Sequence, residues 1–287
     1  MSQLEEALRR AGGGPVSEPP TPRAGNLFVS PWAFGGAPHM EPDAVTPPPS
    51  SEPTLVRSPG IAEAWFDRLL VSEHVDPLIR EQFRRLATTL HHAQTVNHTR
   101  IVLVASATAG DGKTLTAINL ALALSESLQR RVLLIDADLR RPSIGDVWQV
   151  PGAAGLGDNL KARTEEKLNL IQLTERLTLL PAGSSEPDPT AGLASASMRQ
   201  VLEEAAERFD WVVLDSPPLE PTADTNLLVP MIDTALLVVR AGRTRCQAVQ
   251  NAIDALGRDR ILGVVLNGVE QADLEDYAVY YDSRPRV

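Results

Sequence analysis

The run from Arg100 to Asn119, R-I-V-L-V-A-S-A-T-A-G-D-G-K-T-L-T-A-I-N, constrains this chain more than any other stretch. Ile101 to Val104 is an apolar run that reads as a buried strand, Ala105 to Gly112 as a loop of small residues, and Lys113 onward as a helix. Strand, glycine-bearing loop and helix in that order make a phosphate-binding loop. Backbone N–H groups near Gly110, Gly112 and Lys113 are placed to face phosphates at a helix N-terminus, where the dipole favours negative charge. The nucleotide-binding stretch is therefore Ala109, Gly110, Asp111, Gly112, Lys113, Thr114 and Leu115. Lys113 is expected to reach the β- and γ-phosphates and the Thr114 hydroxyl to sit on Mg²⁺. The motif's first glycine is Ala107 here, which needs a negative φ. Only three of the 27 basic residues are lysines, Lys113, Lys161 and Lys167, so a chain that otherwise uses arginine keeps an ammonium at this position.

The elements around this loop predict an α/β fold, a phosphate-loop NTPase with a mostly parallel sheet covered by helices on both faces. Further buried strands are expected at Val132 to Ile135, 177 to 183, 211 to 215, Ala235 to Val239 and Leu262 to Leu266. Helices are expected over Leu115 to Leu128, Ala194 to Phe209 and Cys246 to Leu256. Upstream, Asp76 followed by Pro77 reads as an N-cap with proline at the first helical position. Ile79, Phe83, Leu86 and Leu90 then mark one buried face, and His91 and His92 the helix end. Arg80, Glu81, Arg84 and Arg85 lie on the remaining surface, as a solvated face or an intersubunit contact.

Three segments follow: residues 1–60, 61–270 and 271–287. The first is a short helix over residues 2 to 11, a docking peptide or a fraying end, followed by a disordered arm. Twelve of the 23 prolines precede residue 61. Trp32 and Phe34 in that arm are recognition residues or plain linker. A net charge of −10 leaves no basic footprint for nucleic acid. No apolar run approaches the roughly 18 residues needed to span a bilayer, and the N-terminus lacks a secretory apolar region. The single Cys246 permits no internal disulfide, which fits a reducing cytoplasm, and the five histidines show no metal-ligand spacing.

Carboxylates gather at the ends of the strands. Asp136 and Asp138 emerge after Val132 to Ile135, and Asp215 closes the strand W-V-V-L-D. Strand ends in open α/β sheets are where ligands bind. Two carboxylates one residue apart beside a phosphate loop point to Mg²⁺ coordination or to activation of an attacking hydroxyl, with a capped strand end as the structural alternative for Asp136. Arg140 and Arg141 would pair with these carboxylates or with phosphate. Asn267 follows the last strand, to read a base edge or to form a turn before Gly268. All three tyrosines, Tyr277, Tyr280 and Tyr281, lie in the last 11 residues among Asp273, Glu275, Asp276 and Asp282. They form either an acidic phosphoacceptor tail or an aromatic anchor.

With these residues in place, the chain resembles the bacterial tyrosine kinases of capsule and exopolysaccharide synthesis. The resemblance rests on Gly110 to Thr114, on Asp136-Ala137-Asp138-Leu139-Arg140 and on Asp215-Ser216-Pro217-Pro218, followed by tail tyrosines. The extra loop lysine of MinD and ParA relatives would fall at Thr108 and is absent. The resemblance implies ATP as donor, Mg²⁺ as cofactor and phosphate transfer to Tyr277, Tyr280 and Tyr281, between subunits of a homo-oligomeric ring. It implies metal binding at Thr114, Asp136, Asp138 and Asp215 and catalytic roles for Lys113, Asp136, Asp138 and Asp215; nucleotide contacts from Arg140 and Asn267 are expected from their positions after the strands. It also implies a separate transmembrane co-polymerase, a chain-length regulator, that activates a cytoplasmic kinase at the inner face of the membrane. Family members often carry E-x-x-R-x-x-R on the early helix; Glu81 and Arg84 match, but the last position is Ala87. The rival functions are a MinD/ParA-like ATPase switch and a nucleotide-dependent scaffold of a membrane complex.

Overall fold

The computed structural model describes residues 60–161, 168–221 and 224–269, with the backbone of 56–57. The helix expected over residues 2 to 11, the arm up to residue 55 and the tyrosine tail lie outside the described residues. Eight strands form one sheet: β1 (Val56–Arg57), β2 (Ile101–Ser106), β3 (Val132–Asp136), β4 (Ile171–Gln172), β5 (Leu177–Leu180), β6 (Trp211–Asp215), β7 (Thr234–Arg240) and β8 (Ile261–Asn267). Their spatial order is β1-β4-β5-β3-β6-β2-β7-β8, and every pairing is parallel except β4 with β5.

The central strands carry continuous apolar runs because both sheet faces are covered. Every residue of β2, β3 and β6 is buried. On one face Leu103, Leu133 and Leu214 meet helices Ala196–Arg208 and Cys246–Leu256. On the other, Val102, Leu134 and Val213 meet Leu90, Ile118 and Leu122. These last three belong to helices α2 (Pro77–Asn97) and α3 (Lys113–Leu122), which follow the short helical turn α1 (Glu63–Phe66). Beyond Leu122 the helix continues as one wider turn over Ala123–Ser127. No helix among the described residues is long and apolar enough to cross a membrane.

Three sequence expectations change. The predicted cap of α2 is present, with Asp76 Oδ1 accepting the Leu78 N–H at 2.7 Å, but the helix runs to Asn97, past His91 and His92. It stops where His98 turns left-handed at φ 56° and its N–H closes on the Gln94 carbonyl. The buried face is Ala87, Leu90 and Ala93, while Ile79 is exposed. Small alanines let α2 lie close to its neighbours, and apolar periodicity alone gives them little weight. Finally, Val56–Arg57 pair with β4, so ordered backbone occurs within the stretch read as an arm.

A strap over residues 61–72 crosses α3 before α2 begins. Ala62 N–H donates to the Val147 carbonyl at 2.8 Å. Asn119, buried among the apolar residues 117–122 of α3, holds the middle of the strap with both ends of its amide. Its Nδ2 donates to the Arg68 carbonyl at 3.0 Å, and its Oδ1 accepts the Leu70 N–H at 2.8 Å. Replacing Asn119 with alanine strands both backbone groups, at a cost of about 1–3 kcal/mol. The expected result for Asn119→Ala is a lower urea midpoint with faster tryptic cleavage at Arg68; an unchanged midpoint and cleavage rate would show that the strap is held by other contacts.

Candidate active site

The carboxyl ends of β2, β3 and β6 deliver their residues to one place. Asp136 and Asp215 are register partners on adjacent strands, both fully buried. Lys113 starts α3 beneath them. Its Nζ lies 3.2 Å from Thr114 Oγ1, 3.2 Å from Asp138 Oδ2 and 3.5 Å from Asp215 Oδ1. The Thr114 hydroxyl donates to Asp215 Oδ2 at 2.7 Å. Lys113, Asp138 and Asp215 are thus brought together.

Asp136 is held differently. Its Oδ2 accepts the N–H groups of Ser143 and Ile144 at 3.1 and 3.0 Å, and its Oδ1 accepts the Asp138 N–H at 3.2 Å. The carboxylate shapes the turn that presents Asp138, whose side chain retains a small exposure of 8%. Burial pushes the Asp136 carboxyl up, the Asp215 charge adds to it, and the Ile144 and Ser143 N–H groups with Lys113 oppose it; it stands at about 7. Burial likewise raises Asp215, against the lowering effect of Lys113 and Thr114. Burial alone would lower Lys113, but the charges of Asp215 and Asp138 outweigh it and hold the ammonium above its ordinary value.

The loop between β2 and α3 needs its glycines. Gly110 and Gly112 have φ of 86° and 98°, a region that side chains disfavour. A Cβ on Gly112 would also lie 1.9 Å from Asn267 Nδ2. Ala107 is buried outside the left-handed region, so alanine fits the position of the motif's first glycine. Asp111 is buried and braces the loop from within. It accepts the Thr108 N–H at 2.9 Å, the Thr108 hydroxyl at 3.0 Å and the Thr244 hydroxyl at 2.8 Å. Asn267 resolves toward the loop and the turn: Nδ2 donates to the Asp111 carbonyl at 2.8 Å, and Oδ1 accepts the Gly268 N–H at 2.9 Å. Arg140 pairs with the buried Asp224 and with the Pro187 carbonyl, so its guanidinium is committed away from phosphate.

Above these groups lies a cavity of about 530 Å³, within the range of ligand sites. Gly110, Gly112, Lys113, Thr114, Asp138 and Asn267 line it, as do Arg141, read from sequence as a partner of carboxylate or phosphate, and Trp65, Arg68 and Arg240, which were not assigned to the site from sequence. The strap brings Trp65 and Arg68, and its sequence signal is the polar Asn119 within the apolar run 117–122 of α3. Arg240 braces the loop by donating to the Gly110 carbonyl at 3.1 Å.

The residues fit a Mg²⁺–nucleotide. Among the described residues no three His, Cys, Asp or Glu side chains form a protein metal cage, and Mg²⁺ at phosphate sites needs only one or two protein ligands besides water and phosphate. The Thr114 hydroxyl and Asp215 Oδ1, a buried oxygen with no hydrogen-bond partner among the described residues, supply that smaller set.

Comparison with known proteins agrees with this geometry. The ParA family model, described as NUBPL iron-transfer P-loop NTPase, matches residues 97–271. Over 203 residues the chain is 31% identical to tyrosine-protein kinase YwqD of Bacillus subtilis, covering 70% of this chain and 85% of that protein. It is 32% identical to the succinoglycan biosynthesis transport protein ExoP of Rhizobium meliloti, covering 69% of this chain but only 26% of ExoP. The kinase domain of the Escherichia coli tyrosine kinase ETK superposes with a TM-score of 0.63 at 31% identity, covering 67% of this chain and 76% of that one.

The raised Asp136 carboxyl has a sign that can be checked. Below about pH 4 the group is protonated in both folded and unfolded chains. Between there and about 7 the unfolded chain releases its proton while the folded one retains it. Asp136 therefore draws stability away as pH rises through this window. In nucleotide-free protein with chelator, the stability difference between Asp136→Asn and the parent is expected to shift in the variant's favour from pH 4 to 7; a difference independent of pH would refute the assignment.

Proposed function

The chain belongs to the ParA family of P-loop NTPases and, within it, to the bacterial tyrosine-protein kinases, and on that basis we propose that it is an ATP-dependent kinase that phosphorylates its own tail tyrosines. The observation that carries this is the pairing of Lys113 and Asp138 on the wall of one open cavity, with the buried Asp215 against Lys113 behind them. Thr108, where MinD and ParA relatives place a lysine, is engaged with Asp111 in bracing the loop, which favours the kinase over the switch.

Lys113 is proposed to exchange its carboxylate partners for the β- and γ-phosphates of ATP. Asp138 then takes the proton of a tyrosine hydroxyl as its oxygen bonds to the γ-phosphorus, and the bond from that phosphorus to the β,γ-bridging oxygen breaks to release ADP. Asp136, whose oxygens are taken by three backbone N–H groups, positions Asp138. Asp215 and Thr114 would hold Mg²⁺, which would supply neutralisation of charge on the phosphates. The phosphoacceptors are Tyr277, Tyr280 and Tyr281.

The proposed setting is regulation of exopolysaccharide polymerisation and export at the inner face of the membrane, with a transmembrane co-polymerase as activator. Its support is that ExoP carries a homologous segment as about a quarter of its length. A homo-oligomer is part of the same proposal. Glu81 pairs with Arg84 and Arg85 on the surface of α2, but Ala87 is fully buried, so a subunit contact there would draw on Glu81, Arg84 and Arg85 without position 87.

With Mg²⁺ and ATP, intact-mass and phosphopeptide analysis is expected to find phosphate on the tail tyrosines, with the activator's cytoplasmic segment added if the chain alone is slow. Lys113→Met should lower that signal by about 100-fold or more. Equal labelling of parent and variant would remove Lys113 from the mechanism, and ATP turnover with no phosphotyrosine in any condition would favour the ATPase switch.

A further inference from the structure

Five cationic side chains line the cavity: Lys113, Arg68, Arg140, Arg141 and Arg240. Three of them are committed. Lys113 faces Asp138 and Asp215, Arg140 is paired with Asp224, and Arg240 donates to the Gly110 carbonyl. Arg68 and Arg141 are exposed, and no hydrogen bond or ion pair engages either guanidinium among the described residues. They reach the cavity from two separate segments. Arg68 sits on the strap that Asn119 fixes to α3, so its backbone is anchored although its side chain is exposed. Arg141 donates its N–H to Asp138 Oδ1 at 3.1 Å, which ties its backbone to the carboxylate proposed to accept the tyrosine proton.

The acceptor segment has the opposite charge. Residues 270–287 carry Glu270, Asp273, Glu275, Asp276 and Asp282 against Arg284 and Arg286. The acids flank the tyrosines directly, with Glu275 and Asp276 before Tyr277 and Asp282 after Tyr281. An extended chain advances about 3.3–3.6 Å per residue. A tyrosine at Asp138 therefore brings carboxylates one or two positions away to the cavity mouth, within reach of long arginine side chains. Guanidinium is also the cation that forms bidentate pairs with carboxylates.

We propose that Arg68 and Arg141 are specificity-determining residues that select tyrosines flanked by acidic residues, in this chain's own tail or that of a second copy. The proposal rests on the kinase assignment and adds the class of acceptor. Paired arginines attract an acidic segment, and a tyrosine flanked by lysine or arginine would be repelled at the same place. Serving the nucleotide's phosphates is the competing use of these two side chains, and the acceptor and ATP dependences separate the two.

The test uses the full chain carrying Tyr277→Phe, Tyr280→Phe and Tyr281→Phe as enzyme and a peptide of residues 270–287 as acceptor. A second peptide carries Asp273→Asn, Glu275→Gln, Asp276→Asn and Asp282→Asn. Phosphate transfer is followed with Mg²⁺ and ATP, without and with the activator's cytoplasmic segment, and binding of fluorescein-labelled peptide by anisotropy with Mg²⁺ and ADP. The neutral peptide is expected to have a KM and Kd about three- to tenfold higher than the acidic one. Arg68→Ala with Arg141→Ala should abolish that difference while the KM for ATP stays at the parent value. Arg141→Glu should regain acceptor affinity for a peptide carrying Asp276→Lys. Equal constants for both peptides with the parent enzyme, or a KM for ATP that rises by the same factor in the double variant, would overturn the proposal. Transfer to both peptides without preference would leave the kinase standing and remove the arginine recognition. Preferential binding of the acidic peptide without transfer to either would retain the recognition and refute the kinase. Neither transfer nor preferential binding would overturn both.

Discussion

Two fully buried carboxylates stand side by side at the ends of adjacent central strands, Asp136 on β3 and Asp215 on β6, and the architecture around them is arranged to make that possible. Removing two like charges from water is unfavourable unless each finds donors. Asp136 finds three backbone N–H groups from the turn that follows its own strand, and Asp215 finds the Thr114 hydroxyl and the Lys113 ammonium from the neighbouring loop. The two loops are thereby connected to each other through the strands. A change in what Lys113 contacts alters the field at both carboxylates, and both already lie above their ordinary range because burial is the largest influence on each. Charge is left unbalanced at the floor of the cavity, which is a condition suited to receiving a cation with an anionic ligand rather than an apolar one.

The phosphate loop is preorganised by a second buried acid. Asp111 has no cationic partner among the described residues; neutral N–H and O–H groups of Thr108 and Thr244 satisfy it. Thr244 follows β7, and Asn267 ends β8, so the strands on one side of the sheet fix the loop from outside. Because Asn267 occupies the space that any side chain at position 112 would need, the glycine there is required by packing as well as by its positive φ. The donors that face phosphate are held in place before ligand arrives, and less ordering entropy is then lost on binding.

The sheet was legible in the sequence because β2, β3 and β6 are buried on both faces and therefore appear as unbroken apolar runs ending in polar residues. Lys113, Thr114, Asp138 and Asp215 were legible for the same reason, since each sits next to such a strand. Residues whose roles depend on long-range contact were not. Asn119 holds a segment about 50 positions earlier, and Arg140 finds its partner 84 positions away at Asp224. Asp136 could not be told apart from Asp138 by spacing, because the difference lies in three backbone N–H groups supplied by the turn. Ala87 and Ala93 pack the core of α2 although alanine barely registers in an apolar pattern. Two-residue strands such as Val56–Arg57 and Ile171–Gln172 are too short to show any period.

The use of lysine at position 113, in a chain whose other cations are nearly all arginine, follows from the shape of the hole it fills. Three oxygens lie around Nζ: Thr114 Oγ1 and Asp138 Oδ2 as hydrogen-bond acceptors and Asp215 Oδ1 as an ion-pair partner. An ammonium has three N–H donors arranged around a point, whereas a guanidinium offers a planar fork. Arginine would place its donors in one plane and direct its bulk into the space where the loop backbone must approach phosphate. At the cavity mouth the requirement is reversed: Arg68 and Arg141 project from anchored backbone into open space, where reach and bidentate pairing matter more than compactness. The division between one buried lysine on the floor and arginines at the rim thus matches the two tasks proposed for them, exchange of an ammonium from carboxylate to phosphate below and selection of an acidic chain above.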